Sequence, residues 1–148
     1  MTYKKITRAF NELSVTELYE LLRLRSEVFV VEQNCVFLDM DNKDQQCHHV
    51  LLYNDTQLAA YARVLPPGLS YKEASIGRII TSLAVRGTGA GKVLTTYAIE
   101  ESRRLYGNGP IRIGAQVYAM KFYAQLGFKA DGEIYDEDGI DHIEMVLT

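Results

Sequence analysis

Leu83-Ala84-Val85-Arg86-Gly87-Thr88-Gly89-Ala90-Gly91 is the stretch that decides the fold of this chain. It follows residues 75–82, which are rich in isoleucine, and precedes a segment of helical periodicity that ends near Gly107. Glycines let a backbone approach a ligand closely and adopt unusual dihedral angles. A helix that begins here directs free N–H groups and the positive end of its dipole toward the turn. The stretch therefore predicts a strand–turn–helix unit whose turn can hold a pyrophosphate.

The same turn has other interpretations. A glycine-rich turn can simply let a helix pack against a strand, and the turn alone leaves this possibility open. A Walker loop requires Gly-Lys-Ser/Thr, whereas Gly91-Lys92 is followed here by Val93. A dinucleotide site requires G-x-G-x-x-G after the first strand of a βαβ unit, whereas these glycines are spaced differently and lie in mid-chain. Arg86 and Lys92 bracket the turn with positive charge, which favours the pyrophosphate interpretation.

Apolar periodicity and turn signals place the other elements. Ser14 and Glu17 form a capping box ahead of a helix that extends to Phe29, and residues 30–48 are irregular and acidic. The predicted strands are residues 3–10, 50–53, 57–64, 75–85, 111–115, 128–135 and 140–147, and the later helices are residues 93–107 and 118–126. Strand–helix–strand alternation in the middle indicates parallel pairing, and the flanking hairpins indicate antiparallel pairing. The expected fold is α+β with a mixed sheet.

Composition narrows the class of protein. The 148 residues suit one domain, residues 1–148, with 47% hydrophobic and 24% charged residues. A net charge of −3 argues against sequence-independent binding of nucleic acid. No signal peptide or membrane-spanning run is recognisable, so we expect neither a membrane partner nor export, and a cytoplasmic location. Cys35 and Cys47 make no disulfide framework, and Cys47-His48-His49 matches no common zinc pattern, so no metal is expected.

Two separated motifs carry a family resemblance. Residues 83–91 resemble the Arg/Gln-x-x-Gly-x-Gly/Ala acetyl-CoA motif of the GNAT N-acetyltransferases. Residues 119–128 resemble the same family's Ala-x-x-Phe-Tyr-x-x-x-Gly-Phe. More narrowly, residues 25–33, 39–41 and 135–143 look like the ElaA-like branch of that family. The resemblance covers nearly the whole chain.

This resemblance implies the GNAT (acyl-CoA N-acyltransferase) fold, with a mixed central sheet splayed between the fourth and fifth strands, and acetyl-CoA as cosubstrate. The pantetheine arm would lie between the strand ending at Val85 and the strand 111–115, and would pair with the backbone of Leu83 and Val85. Many members carry an Asn after the splayed strand, whereas Gln116 stands here. The implied cofactor-binding residues are Leu83, Ala84, Val85, Arg86, Gly87, Thr88, Gly89, Ala90, Gly91, Lys92, Gln116, Phe122 and Tyr123.

Aminolysis of a thioester requires that the amine lose a proton, and the departing thiolate benefits from gaining one. Tyr123 occupies the position that often protonates the thiolate in this family, although it also suits a core aromatic on a short helix. Three residues are candidates for the general base, and a water chain is an alternative: the candidates are His49, His142 and Glu32.

The acceptor is the least determined part. In the family, the end of the first helix and the loop after it form one wall of the acceptor side, where Glu27, Glu32, Asp39, Asp41 and Asp44 crowd together. These carboxylates could attract a cationic amine, or they could belong to a solvated loop. Arg78 is polar among apolar neighbours and either points at the acceptor or lies on a solvated face. The substrate-binding candidates are Phe29, Glu32, Asp39, Asp41 and Arg78.

The sequence therefore predicts transfer of an acetyl group from acetyl-CoA to an amine of a small molecule or peptide, in a monomer or a homodimer. One alternative is an enzyme like the acyl-homoserine-lactone synthases, which Arg25-x-x-x-Phe29 and residues 62–66 resemble, although this chain lacks tryptophan. A second alternative is a non-catalytic acyl-CoA-binding sensor, which would keep the glycine turn without requiring Tyr123.

Overall fold

A mixed eight-stranded sheet organises the computed structural model, which describes residues 2–148. The strands are β1 (Lys4–Ala9), β2 (His48–Asn54), β3 (Gln57–Leu65), β4 (Ala74–Thr81), β5 (Ile111–Gln116), β6 (Lys129–Ala130), β7 (Tyr135–Glu137) and β8 (Ile140–Leu147), and the helices are α1 (Val15–Arg25), α2 (Ala90–Tyr106) and α3 (Met120–Gln125). The strand order is β1-β2-β3-β4-β5-β8-β6, and β7 also pairs with β8. No helix within residues 2–148 combines the length and apolar character that crossing a membrane requires.

Helices cover both faces of the sheet. Successive side chains of a strand point to opposite sides, so each strand contributes residues to both covered faces. Leu51 of β2 and Tyr61 of β3 pack with Leu21 and Leu24 of α1. Their neighbours in the same strands pack on the other face with Leu94 and Ala98 of α2. The apolar runs of β2 and β3 therefore lack polar alternation, as expected for strands covered on both sides.

The parallel pair at the centre of the sheet opens into a cleft. β4 and β5 pair only at their first residues, Ala74 with Ile111 and Ser75 with Arg112. β5 instead pairs along its whole length with β8. Beyond Ser75 the two parallel strands diverge, and the predicted α+β fold with a sheet splayed between the fourth and fifth strands is confirmed.

Some predicted element boundaries are wrong. β4 ends at Thr81 rather than Val85, because the amide of Ser82 makes a last ladder bond to Ala59 at 2.8 Å and Leu83–Val85 then forms a 3₁₀ turn. The first helix continues past α1 as a π-helix, Ser26–Glu32. The closing hairpin contains only β7 and β8, since residues 131–134 are not in a strand.

Candidate active site

The cleft between β4 and β5 is part of a cavity of about 990 Å³. β4 contributes residues 75–81 to its wall, and the opposite wall includes Ile113, Gly114 and Gln116 of β5 and Tyr123 of α3. The π-helix and the loop after it complete the cavity, so the segments that the sequence assigned to donor, acceptor and catalysis meet in one space.

The glycine turn is built as an anion site would require. Gly87 and Gly89 have φ of +78° and +87°, in the left-handed region that favours glycine. Gly89 is the N-cap of α2, and within residues 2–148 the amides from Gly89 to Lys92 have no backbone acceptor. These free N–H groups and the helix dipole can bind negatively charged oxygen atoms. Buried Val85 and Ala90 pack with Ala59 and fix the turn to the core.

Substitution of Gly91 tests whether this turn binds the pyrophosphate of CoA. An added Cβ would lie 3.6 Å from the Phe122 ring, an ordinary contact, and a carboxylate in the first helical turn favours the helix itself. Gly91→Glu should therefore fold, yet its charge and bulk would oppose a pyrophosphate. We expect calorimetry to show at least a tenfold higher Kd for CoA, about 1.4 kcal/mol. Gly91→Ala is the control, and unchanged CoA binding in Gly91→Glu would contradict the assignment.

Arg86 is held by the last residue of the π-helix. Its guanidinium donates to both carboxylate oxygens of Glu32, with Nη2 to Oε1 at 2.7 Å, and Nη2 also donates to the Thr81 carbonyl at 3.2 Å. The hydrogen bonds from Arg86 lower the pKa of Glu32 below its ordinary value. Glu32 is thus kept ionised by a cation, which disfavours it as the general base, and the pair occupies the Arg86 guanidinium beside the glycine turn.

Removing the charge of Glu32 should strengthen CoA binding. Both side chains are about one third exposed, 34% for Arg86 and 39% for Glu32, so the pair is screened and its effect is modest. We expect Glu32→Gln to lower the Kd of CoA about twofold to fivefold in calorimetry. Glu27→Gln is the matched control, because Glu27 lies in the same π-helix and pairs at 2.8 Å with Arg23 instead. An unchanged or higher Kd in Glu32→Gln would show that the pair does not restrain Arg86.

Tyr123 lies where α3 meets the cleft. Its ring contacts Phe122 and Phe128 edge-to-face, with centroids 5.2 and 5.9 Å away, and burial raises the pKa of its phenol. A phenol with a raised pKa stays protonated at neutral pH and can donate a proton to a thiolate. Phe122 turns instead toward the glycine turn, where its ring backs Gly91.

Gln116 is hydrogen-bonded to the residue that follows the π-helix. Its side-chain oxygen accepts a hydrogen bond from the side-chain amide of Gln33 at 3.1 Å. Gln33 follows the π-helix directly, so this contact crosses the mouth of the cleft. The side-chain amide of Gln116 thus stands where many GNAT members carry Asn. In this structure it is hydrogen-bonded to the side chain of Gln33.

The two histidine candidates occupy different surroundings. His49 is completely buried, with Nδ1 2.6 Å from the Tyr61 hydroxyl and Nε2 2.9 Å from the Asp44 carbonyl. Burial lowers its pKa, and it does not line the cavity, so the expectation of His49 as base is not supported. His142 does line the cavity and stacks on Tyr135 at 5.8 Å.

The acidic loop does not form a negative wall. Asp39 accepts hydrogen bonds from Arg25 and Arg78, both at 2.8 Å. Asp44 accepts from Arg25 at 2.8 Å and Arg63 at 3.0 Å. Each carboxylate is thus neutralised by an arginine of α1, β3 or β4, and the expectation of a wall that selects cationic amines is wrong for these residues.

Asp41 completes this cluster, since both its oxygens accept from Arg63 at 2.8 Å. Arg25 and Arg63 hold the loop in place through these pairs. The Phe29 ring centroid lies 5.9 Å from the guanidinium of Arg78. Sequence reasoning did not find the cluster, because acidic residues in a loop look the same whether they are solvated or paired.

A bulge in β4 was also missed. The register with β3 shifts between Tyr61 and Arg63, and Arg78 takes a left-handed φ of +50°. A bulge leaves backbone groups outside the ladder and redirects side chains, and it is common near active sites. Gly77 within a β-rich segment was the available signal. The bulge brings Arg78 to the cavity wall.

The sheet splayed at its parallel pair and the glycine turn beside the cleft define the acyl-CoA N-acyltransferase fold. The profile of the acetyltransferase (GNAT) domain matches residues 15–148, and the chain belongs to this family. The crystal structure of an acyl-CoA N-acyltransferase from Pseudomonas aeruginosa superposes with a TM-score of 0.94 at 38% identity, covering 99% of this chain and 100% of that one.

Two relatives place the chain more narrowly. A UPF0039 protein of Synechocystis is 46% identical over 139 residues, 93% of this chain and 90% of that protein. Protein ElaA of Escherichia coli is 42% identical over 137 residues, 91% of this chain and 90% of its own length. The ElaA crystal structure superposes with a TM-score of 0.93 at 38% identity, covering 99% of this chain and 100% of that one. The predicted GNAT family and ElaA-like branch are confirmed.

Proposed function

We propose that this chain is an N-acetyltransferase that moves the acetyl group of acetyl-CoA to a primary amine. The observation that carries the proposal is the cleft itself. β4 and β5 part after Ser75, and the open cleft is bordered by the Arg86 side chain and the Tyr123 phenol. A cofactor arm can enter there with its phosphates on the free amides at the start of α2 and its thioester near Tyr123.

The reaction follows from these groups. The neutral amine attacks the thioester carbonyl carbon, and an N–C bond forms in a tetrahedral intermediate. The C–S bond then breaks, and the CoA thiolate takes the phenolic proton of Tyr123. The nitrogen loses one proton to a base, so that the products are the amide and the CoA thiol. The Tyr123 phenolate recovers its proton from the base or from water.

His142 is the base that the geometry favours. Its Nδ1 lies 2.7 Å from the Ile140 carbonyl, an acceptor only, so Nδ1 carries a proton and the neutral ring has its lone pair on Nε2. The Glu137 carboxylate lies 3.3 Å from Nε2, so a charged side chain stands beside the atom that would take the proton. His142 pairs with Gln116 in the β5–β8 register, which sets it beside the cleft.

The experiment that tests this function is free-thiol release from acetyl-CoA in the presence of single amines, polyamines and peptides. An N-acetyltransferase gives amine-dependent release that saturates with both substrates. Binding of acetyl-CoA without amine-dependent release from any acceptor would favour the alternative, a non-catalytic acyl-CoA-binding sensor.

A further inference from the structure

We propose that the acceptor is a primary amine that also carries a carboxylate, and that Lys43, Ser70, Ser75 and Arg63 bind this carboxylate at the end of the cavity away from the glycine turn. The inference rests on the proposed function and names its substrate class. These residues are called the carboxylate subsite below. All of them line the cavity described above.

The subsite lies at the closed end of the cleft. In the β3–β4 register Arg63 faces Gly77 and Leu65 faces Ser75, which is the last residue of β4 that pairs with β5. Thr81, next to the donor turn, is six residues further along β4, roughly 20 Å at the rise of a strand. A carboxylate bound here would be far from the phosphates of the cofactor. It would lie near the bulge in β4, since Arg78 is three residues after Ser75.

The local charge favours a single negative group. In the buried cluster behind this part of the cavity, Arg25, Arg63 and Arg78 pair with Asp39, Asp41 and Asp44, so these six charges cancel. Lys43, whose backbone amide donates to Asp41, adds one positive charge beside the cluster. The excess is located on Lys43, since within residues 2–148 its Nζ has no carboxylate within 4.0 Å and donates to the Ser70 hydroxyl at 2.8 Å. One carboxylate matches this charge, whereas a phosphate dianion would exceed it.

One buried hydrogen-bond donor of the subsite, on Arg63, lacks an acceptor in the part of the chain that the structure describes. The Nε of Arg63 has no hydrogen-bond partner within residues 2–148, although the side chain is only 4% exposed. Its Nη1 donates to Asp41 and Asp44, and its Nη2 donates to Asp41. A buried N–H without a partner is costly, so an oxygen atom at this position is expected. The buried Ser75 supplies a hydroxyl on the same wall.

The opposite wall suits the amine. Glu137 and Asp138 also line the cavity, but Glu137 ends β7 and lies 3.3 Å from His142, and Asp138 follows it in the turn to β8, so among the described residues neither is paired with the subsite cations. An acceptor with its carboxylate at Lys43 and its amine toward His142 would place each charge against its complement. This arrangement replaces the cationic acceptor that the acidic loop suggested.

Matched acceptors test the inference. The acylation of ω-amino acids, whose amine and carboxylate are separated along a chain and can reach both walls, is compared with that of the corresponding ω-amino carboxamides, as kcat/KM for CoA release from acetyl-CoA. In the wild type we expect the acids to be preferred about tenfold, and Lys43→Met should reduce the acid-to-amide ratio about tenfold through KM. Lys43→Arg should restore part of the ratio. Lys72→Met, an exposed lysine outside the cavity wall, is the control and should leave the ratio unchanged.

The outcomes separate the two proposals. Equal use of acids and amides, or a Lys43→Met variant with the wild-type ratio, would overturn the carboxylate subsite. Turnover of other amines without any turnover of amino acids would also overturn it while leaving the proposed function standing. If no amine of any class supports CoA release, the proposed function fails and the inference falls with it.

Discussion

Tyr123→Phe is expected to lower kcat about 10²-fold while the Kd of CoA stays nearly unchanged. The substitution removes only the hydroxyl and keeps the aromatic contacts to Phe122 and Phe128. Because the phenol pKa is raised by burial, the hydroxyl is protonated at neutral pH and available to the leaving thiolate. Its loss affects the breakdown of the tetrahedral intermediate, not the binding of the cofactor. Steady-state kinetics and calorimetry measure the two quantities separately.

A suitable control is Tyr106→Phe. Tyr106 is also half-buried and packs against the same core, but it does not line the cavity. A general effect of losing a buried phenol would appear in both variants, as a lower Tm. If Tyr123→Phe keeps the wild-type kcat, the residue is only a core aromatic, and the proton for the thiolate comes from elsewhere.

Arg25→Met is expected to lower the free energy of unfolding by about 3–5 kcal/mol, because it leaves buried carboxylates without their cation. Arg25 is fully buried and donates to Asp39, to Asp44 and to the Asp39 carbonyl. Urea unfolding at pH 7 measures the loss. Arg23→Met is the matched control on the same helix, since Arg23 is exposed and its pair with Glu27 lies in solvent, so it should change stability by less than about 0.5 kcal/mol.

The same variant should change the response to acid. Burial alone raises the pKa of Asp44, but the hydrogen bonds from Arg25 and Arg63 outweigh it and the pKa is lowered. A lowered folded-state pKa gives stability that is fully present above the unfolded value, about 4, and is lost as the pH falls below it. We expect the wild type to lose more stability than Arg25→Met between pH 6 and pH 3. Parallel curves, or a loss below about 1 kcal/mol at pH 7, would contradict the role of Arg25.

The strand–turn–helix conformation of the predicted donor segment could be predicted from sequence because its signals are local, whereas its binding of CoA stays a prediction. The glycine turn, the helix that follows it and the aromatic pair Phe122-Tyr123 each depend on neighbouring residues and a fixed spacing. The splay of the sheet came with the family resemblance, and the apolar runs of residues 50–53 and 57–64 were enough to indicate two strands.

The acceptor half could not be predicted, because its properties arise from pairs of residues that are far apart in the chain. Arg86 and Glu32 are 54 residues apart, and Arg78 and Asp39 are 39 apart. An acidic loop has the same sequence whether it attracts a cationic ligand or is neutralised by buried arginines. The choice between His49 and His142 likewise depended on which face of which strand each residue occupies.

The most direct test of acetyl transfer is to quantify, in one reaction, the CoA thiol released and the N-acetylated amine formed, by mass spectrometry. The proposed function predicts equal amounts of the two products for a preferred acceptor, with both rates about 10²-fold lower in Tyr123→Phe. Thiol release without N-acetylated product, or equal rates in the wild type and Tyr123→Phe, would contradict the proposal.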